Sequence, residues 1–164
     1  MKTLSPFVVL LLCLAAGCAS RHPAKPASAA AAPVKASAKF EAADDFKIEV
    51  AVYTYLLQKH PWGDGPYAAI FLGGGAERVA ALAKRLPRQV VPFRSGDRVQ
   101  LRPGQTPLDR DTGKPALVVN AKAMEPTNGV SEAVGSWYGG GDVSGLYAFV
   151  LVETDGQWAI QSVK

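Results

Sequence analysis

Four strand-like runs in the last fifty or so residues constrain the fold more than any other feature of the chain. Short segments rich in Gly, Asn, Asp and Thr, which are typical turn residues, separate them. The runs span 116–124, 132–138, 146–153 and 158–163. Connections this short favour antiparallel pairing, because parallel strands need a long crossover. Asp155-Gly156 is also a strong hairpin signal. The sequence therefore predicts an antiparallel meander.

A helix is predicted upstream of this meander. Phe46, Val50, Tyr53 and Leu57 recur at helical spacing, and Asp44 or Asp45 is a suitable N-cap. Pro61 should end the helix, because proline disfavours helical backbone in the residue before it. Between helix and meander, the pattern predicts strands at 67–72, 89–93 and 98–101 and a second helix at 76–86. The run 146–153 is apolar on both faces, so it should be a central strand covered by the long helix on at least one side. The expected fold class is α+β, with an N-terminal helix packed on a curved antiparallel sheet.

The closing segment carries a resemblance to known proteins. Its landmarks are Trp137-Tyr138-Gly139-Gly140-Gly141, Gly145-Leu146-Tyr147 and Asp155-Gly156-Gln157-Trp158-Ala159-Ile160. Together they resemble the end of uncharacterised bacterial envelope lipoproteins. The last of them is similar to the final hairpin of the nuclear-transport-factor-2-like (cystatin-like) superfamily. That resemblance implies a roll in which the helix lies across the sheet. The superfamily includes isomerases, dehydratases and pure binding domains, so the likeness names no single function.

The first eighteen residues resemble a bacterial lipoprotein signal peptide. Lys2 precedes an apolar run at 7–16, and small residues then lead to Cys18. The run is about half the ~20 residues that a membrane-spanning helix needs. The resemblance implies removal of residues 1–17 and lipidation of Cys18. Ala19 after the cysteine favours the outer membrane. The alternative is an ordinary secretory peptide cleaved near Ser20.

The segment 18–39 is the predicted tether. Apart from the cysteine it is almost entirely Ala, Pro, Ser and Lys, so it lacks the apolar surface needed to offset its ordering entropy. We expect it to be disordered, with a reach of about 25 Å as a coil and ~65 Å when extended. The folded domain is then predicted to occupy 40–164.

Charge and cysteine usage exclude several functions. Five of the 18 cations, and none of the 14 acids, lie in residues 1–39, so the predicted domain is nearly neutral and nucleic acid is not an expected partner. The two cysteines are Cys13 and Cys18. The first lies in the segment to be removed and the second is the lipidation site. The mature domain would then have no disulfide, no cysteine metal site and no thiol chemistry.

Three motifs suggest ligand sites, and each has a simpler alternative. A strand, the glycines 73–75 and a helix resemble a phosphate cradle with Arg78 as a cation, or else a flexible connection. The cations within 77–102 form an anion-binding face or merely a solvated surface. Asp109 and Asp111 before a glycine resemble a calcium loop, but a third ligand and the closing Glu are missing and a turn explains them more simply.

His60 is the histidine of the predicted domain and the main candidate for acid–base chemistry. Asp64 is near in sequence, and Asp142 is a second candidate partner. An exposed or helix-capping role is the alternative, because His60 precedes a turn-like segment. One histidine cannot build a multi-histidine zinc site, so no metal is expected. No cofactor is expected either.

Trp62, Trp137, Tyr138 and Tyr147 are candidates to line an apolar cavity beneath the helix, with core packing as the alternative. The stretch 137–146, with three glycines and Asp142, should be a long flexible hairpin loop that contacts a partner.

The sequence therefore predicts a lipid-anchored envelope protein whose domain faces the periplasm as a non-catalytic binding or accessory module. Its expected partner is another envelope protein or peptidoglycan. The alternatives are a small-ligand enzyme of the roll superfamily, using His60 or Asp142, and a protein that spaces or assembles the envelope.

Overall fold

The computed structural model of the protein describes residues 41–60, 62 and 65–164. The predicted signal peptide, Cys18, the predicted tether and Asp64 lie outside the described residues, so what the sequence predicts for them remains a prediction. The elements in chain order are α1 (Asp44–Lys59), β1 (Ile70–Leu72), α2 (Ala76–Ala83), β2 (Phe93–Ser95), a 3₁₀ turn (Gly96–Arg98), β3 (Val99–Gln100), β4 (Leu108–Asp109), β5 (Leu117–Ala123), β6 (Val130–Gly140), β7 (Val143–Thr154) and β8 (Gln157–Val163).

The predicted meander is confirmed. Strands β5, β6, β7 and β8 pair in sequence order, each antiparallel to the next. They form the larger part of a six-stranded sheet with the order β2-β1-β5-β6-β7-β8. A bulge at Gln161 shifts the β7–β8 register, because Val150 faces Ser162 whereas Leu151 faces Ile160.

The sheet is mixed, which corrects the prediction of a purely antiparallel one. Strand β1 is parallel to both of its neighbours, β2 and β5. The link between β1 and β2 contains α2, the kind of crossover that a parallel pair requires. The fold is therefore α+β with a mostly antiparallel, mixed sheet, and β3 and β4 form a separate two-stranded pair.

Helix α1 begins and ends close to the predicted residues, but its cap differs. Ala43 occupies the N-cap without a side-chain hydrogen bond, so the proposed Asp44 or Asp45 cap is wrong by one or two positions. Both aspartates lie in the first turn instead, where the positive end of the helix dipole favours carboxylates. At the other end His60 has an extended backbone (φ −124°, ψ 91°), as expected before a proline.

Helix α1 packs on one face of the meander and forms the main core there. Its contacts run to β5, β6 and β8. Val52, Tyr53 and Leu56 of the helix are fully buried, and Phe149 and Leu151 of β7 face them. A second, smaller core is formed by five other buried residues: Ala69, Phe71, Val99, Ala116 and Val118. Strands alternate their side chains, so these two groups occupy opposite faces of the sheet.

Candidate functional site

Four rings stack where the C-terminal end of α1 meets the meander, and we call His60, Trp62, Trp137 and Tyr147 the aromatic stack. The His60 ring lies 5.5 Å from Trp62 at an interplanar angle of 15°, and 4.2 Å from Trp137. Trp137 in turn lies 5.2 Å from Tyr147. All four residues are partly exposed. Each of them is a candidate site residue predicted from the sequence, and the structure brings them together.

Gly145 makes room for the aromatic stack, and Gly139 makes room in the same way for Tyr67. A Cβ placed on Gly145 would lie 2.0 Å from Cη2 of Trp137, so the indole lies directly over that backbone. A Cβ on Gly139 would lie 2.1 Å from the Tyr67 hydroxyl oxygen. One side of the Trp137 ring therefore covers Gly145, and His60 is close to the ring as well. Within the described residues the four rings pack on one another between α1 and β7, which agrees with the core-packing alternative.

Tyr138 is not part of the stack, which corrects the predicted group of four aromatics. Trp137 and Tyr138 are neighbours on β6, so their side chains lie on opposite faces of the sheet. The Tyr138 hydroxyl donates a hydrogen bond to the Gln105 carbonyl at 2.9 Å. Tyr138 thus fastens a surface loop and contributes nothing to the His60 side of the sheet.

The predicted long loop at 137–146 is also corrected. Strand β6 extends to Gly140 and β7 begins at Val143, so a two-residue turn, Gly141-Asp142, connects them. Gly140 and Gly141 have φ values of 100° and 55°, a region that glycine adopts readily. Asp142 is exposed in this turn. The connection is therefore a tight turn and not a long loop, and contact with a partner at this place stays a prediction.

Among the residues that the structure describes, His60 interacts with rings and not with an acid. Its Nε2 is hydrogen-bonded to the Tyr147 hydroxyl at 3.3 Å. Burial, together with the nearby charge of Lys59, lowers the pKa of His60 from its usual value. Within the described residues no hydrogen bond or ion pair joins His60 to Asp142. The acid–base pair with Asp142 is therefore not assembled in this structure.

The lowered His60 pKa predicts a pH dependence of stability. A histidine whose pKa is lower in the folded state binds protons more readily in the unfolded chain, so acid favours unfolding. The free energy of unfolding should therefore be unaffected by protonation of His60 above its ordinary pKa near 6.5. It should fall as the pH drops from there towards the lower pKa that His60 has in the folded state. Urea unfolding at pH 8 and pH 5.5, followed by tryptophan fluorescence, measures this loss. His60→Gln is the control and should remove most of the difference; an unchanged difference would contradict the assignment.

The glycine segment before α2 does not present a free cation to a phosphate. Arg78 donates hydrogen bonds to Glu49 (2.8 Å) and Asp45 (3.0 Å) of α1. Burial raises the pKa of Glu49, opposed by the hydrogen bond and charge of Arg78. The guanidinium is thus engaged in joining α2 to α1. The phosphate-cradle alternative loses its expected cation, and a connecting role for the glycines is the simpler account.

Asp109 behaves as a turn residue and not as a calcium ligand. Its carboxylate accepts hydrogen bonds from the Asp111 N–H (3.0 Å) and the Thr112 hydroxyl (2.8 Å). Burial alone would raise its pKa, but these hydrogen bonds, with Arg94 and Arg98 nearby, hold the pKa below its ordinary value. Both arginines also hydrogen-bond Asp111. Among the described side chains, no group of three His, Cys, Asp or Glu is placed to hold a metal ion.

The face of the meander opposite α1 was not predicted as a site. Six aliphatic residues of β6 and β7 lie there, at least partly exposed, and we call them the open sheet face: Val130, Val134, Leu146, Ala148, Val150 and Val152. Leu146 is 71% exposed and Val134 is 40% exposed. A groove of about 140 Å³ crosses this face between Met124 and Lys164. The signal was present in the sequence, because the run 146–153 is apolar on both faces, but helix α1 covers only one of them.

A second groove, of about 280 Å³, lies beside α1. Its walls combine Phe46, Val50 and Trp158 with the charged residues Glu41, Lys47 and Arg85. Arg85 forms an ion pair with Glu41 at its edge. Neither His60 nor Asp142 lines this groove or the one on the open sheet face.

Comparison with known proteins adds no functional information. No protein-family model matches the chain, and no curated protein or solved structure matches it either. In the part of the chain that the structure describes, no helix is long and apolar enough to cross a membrane.

Proposed function

We propose that the chain is a lipid-anchored lipoprotein of the bacterial outer membrane, and that its folded domain faces the periplasm as a non-catalytic binding or accessory module. The observation that carries the binding role is the open sheet face. The anchoring role is supported by the order of charged start, apolar run, small residues and Cys18. The Ala- and Pro-rich segment 18–39 would then act as the tether.

The open sheet face supports a binding module because of its chemistry and its extent. Its members are adjacent across two strands: Val130 faces Val152, and Val134 faces Ala148. Contiguous apolar surface of this kind is uncommon on monomers and marks interaction sites when it is large. A single exposed apolar residue, such as Val90 with 85% exposure, does not indicate an interaction site.

An arrangement of the nuclear-transport-factor-2-like roll type is a further part of the proposal. Two features support it: α1 packs across the meander, and a bulge in the last strand pair adds to the curvature of the sheet. The parallel strands β1 and β2 are additions to the expected pattern.

No specific observation favours the enzyme alternative. His60 is packed among rings, and the grooves beside α1 and on the open sheet face do not contain it. The assembly or spacing alternative needs only the tether and a docking surface, so it is a special case of the proposal. Its partners would be another envelope protein or peptidoglycan.

The anchoring part of the proposal is tested by labelling cells with an alkyne analogue of palmitate. The wild-type chain should be labelled and should sediment with membranes. Cys18→Ala should lose both properties, because the acylated sulfur is gone. Cys13→Ala is the matched control and should retain both. If Cys18→Ala still carries the label, the anchoring proposal is wrong.

The binding part needs a separate readout. A photo-crosslinking residue at position 146, introduced into the full chain in living cells, should yield covalent adducts in the envelope. The same residue at position 90, exposed but outside the open sheet face, should not. Absence of any adduct at position 146 would contradict a binding module that uses this face.

A further inference from the structure

Three charged residues are placed on or beside the open sheet face. Lys122, Val134, Ala148 and Lys164 form one row across the sheet, since each is the cross-strand partner of the next. In the adjoining row Glu132 lies between Met124 and Val150. The acid is thus set among aliphatic side chains, and a cation lies at each end of the neighbouring row.

These charges have no ionic partner in the folded chain as described. Glu132, Lys122 and Lys164 are all exposed. Within residues 41–60, 62 and 65–164 none of the ion pairs includes any of them, and the one side-chain hydrogen bond that reaches Glu132, from the Ser131 hydroxyl, goes to its backbone carbonyl and leaves the carboxylate unengaged. Opposite charges therefore remain available on one aliphatic surface.

We propose that the open sheet face docks on the same face of a second copy of this chain. A twofold contact brings one surface against itself, so that surface must be self-complementary. The aliphatic residues of the face meet that condition because apolar surface can pack on apolar surface. The charges meet it because the face carries both an acid and two cations. Glu132 of each copy then meets a lysine of the other, and like charges are kept apart.

The same features argue against other occupants. A bilayer would take up an aliphatic patch, but Glu132 within it would be desolvated without a partner. A glycan is recognised largely by aromatic rings, and Trp137 and Tyr147 lie on the opposite face, against α1. Tyr138 is on the same side of β6 as Val134, but its hydroxyl is engaged by the Gln105 carbonyl and it lies outside the open sheet face. A second copy satisfies both the aliphatic residues and the three charges.

The size of the face predicts a weak dimer. Together with the flanking strands β5 and β8, which carry Lys122 and precede Lys164, the surface spans four strands about 4.8 Å apart and roughly seven residues long at ~3.3 Å each, or about 440 Å² on each copy. The total, about 900 Å², is below the ~1,200–2,000 Å² of stable interfaces. Anchoring at the membrane would raise the effective concentration and populate the dimer. The inference therefore rests on the proposed function.

Cysteine crosslinking of the full chain in bacterial envelopes tests the inference. With Cys18 lipidated and residues 1–17 removed, Val134→Cys introduces the sole thiol of the mature chain. It should form a disulfide-linked homodimer, and Val90→Cys, the matched control, should form at least tenfold less. Adding Glu132→Lys should reduce the Val134→Cys dimer about tenfold by placing cations against cations. Adding Lys122→Glu and Lys164→Glu as well should restore it, because the reversed charges are again complementary.

The outcomes separate this inference from the proposed function. If Val134→Cys sediments with membranes but yields no homodimer, or only adducts with a different protein, self-docking is overturned and anchoring stands. If the chain is not found with membranes, the anchoring proposal fails in its own right. Equal dimer yields from Val134→Cys and Val90→Cys also overturn self-docking. Circular dichroism of each variant verifies that the fold is retained.

Discussion

Phe149→Ala should lower the free energy of unfolding by about 3–5 kcal/mol, the range typical of a large ring removed from a core. Phe149 is 1% exposed. The centroid of its ring lies 5.3 Å from the ring centroid of Tyr55 and 6.1 Å from that of Tyr147, and both pairs are T-shaped. Alanine would leave a cavity between α1 and β7 that the surrounding rings cannot fill without losing these contacts.

Val150→Ala is the matched control, because it truncates the next residue of the same strand. Val150 lies on the open sheet face, where truncation should change the free energy of unfolding by less than about 1 kcal/mol. Urea denaturation at low protein concentration, followed by circular dichroism, compares the two variants. Losses of equal size would contradict the assignment of one covered and one open face.

The meander was predictable because its signals are local. Alternating or continuous apolar runs separated by Asp-Gly and Asn-Gly turns determine where strands begin and how they pair. The observed β5 to β8 agree with the predicted runs to within three residues at each end. Helix α1 was predictable for the same reason, since its apolar spacing and the proline after it are both visible in the sequence.

The parallel strands were not predictable from such signals. Strand β1 has three buried residues, Ile70–Leu72, and its pairing depends on contacts with β5, which begins 45 residues later in the chain. Short buried runs carry no alternation that reports a direction or a neighbour. Nothing local in β1 therefore distinguishes a parallel from an antiparallel partner.

The candidate site was predicted in its residues but not in its arrangement. His60, Trp62, Trp137 and Tyr147 do meet, and in the described part of the chain they pack on one another and on Gly145. The exclusion of Tyr138 was available from strand alternation alone. The open sheet face was harder to foresee, because an apolar pattern on both sides of β7 does not say which side a helix will cover.

Gly135→Val should destabilise the domain by about 3 kcal/mol, because the helix packs closely on the sheet at this position. A Cβ on Gly135 would lie 2.8 Å from both Phe149 Cε2 and Val52 Cγ1, and 3.0 Å from Leu56 Cδ1. These neighbours are themselves buried in the main core, so none of them can move aside freely. The substitution must push α1 away from β6 or force strained side-chain rotamers.

Ser136→Val introduces the same side chain at the next residue, on the opposite face of β6. Valine favours strands and Ser136 is only partly buried, so this variant should change stability by no more than about 1 kcal/mol. Thermal and urea unfolding of the two variants measure the difference directly. If Gly135→Val were as stable as Ser136→Val, α1 could not pack on β6 at the observed distance. The assignment of α1 to one face of the meander would then be wrong. The open sheet face could no longer be identified as the face that α1 leaves uncovered.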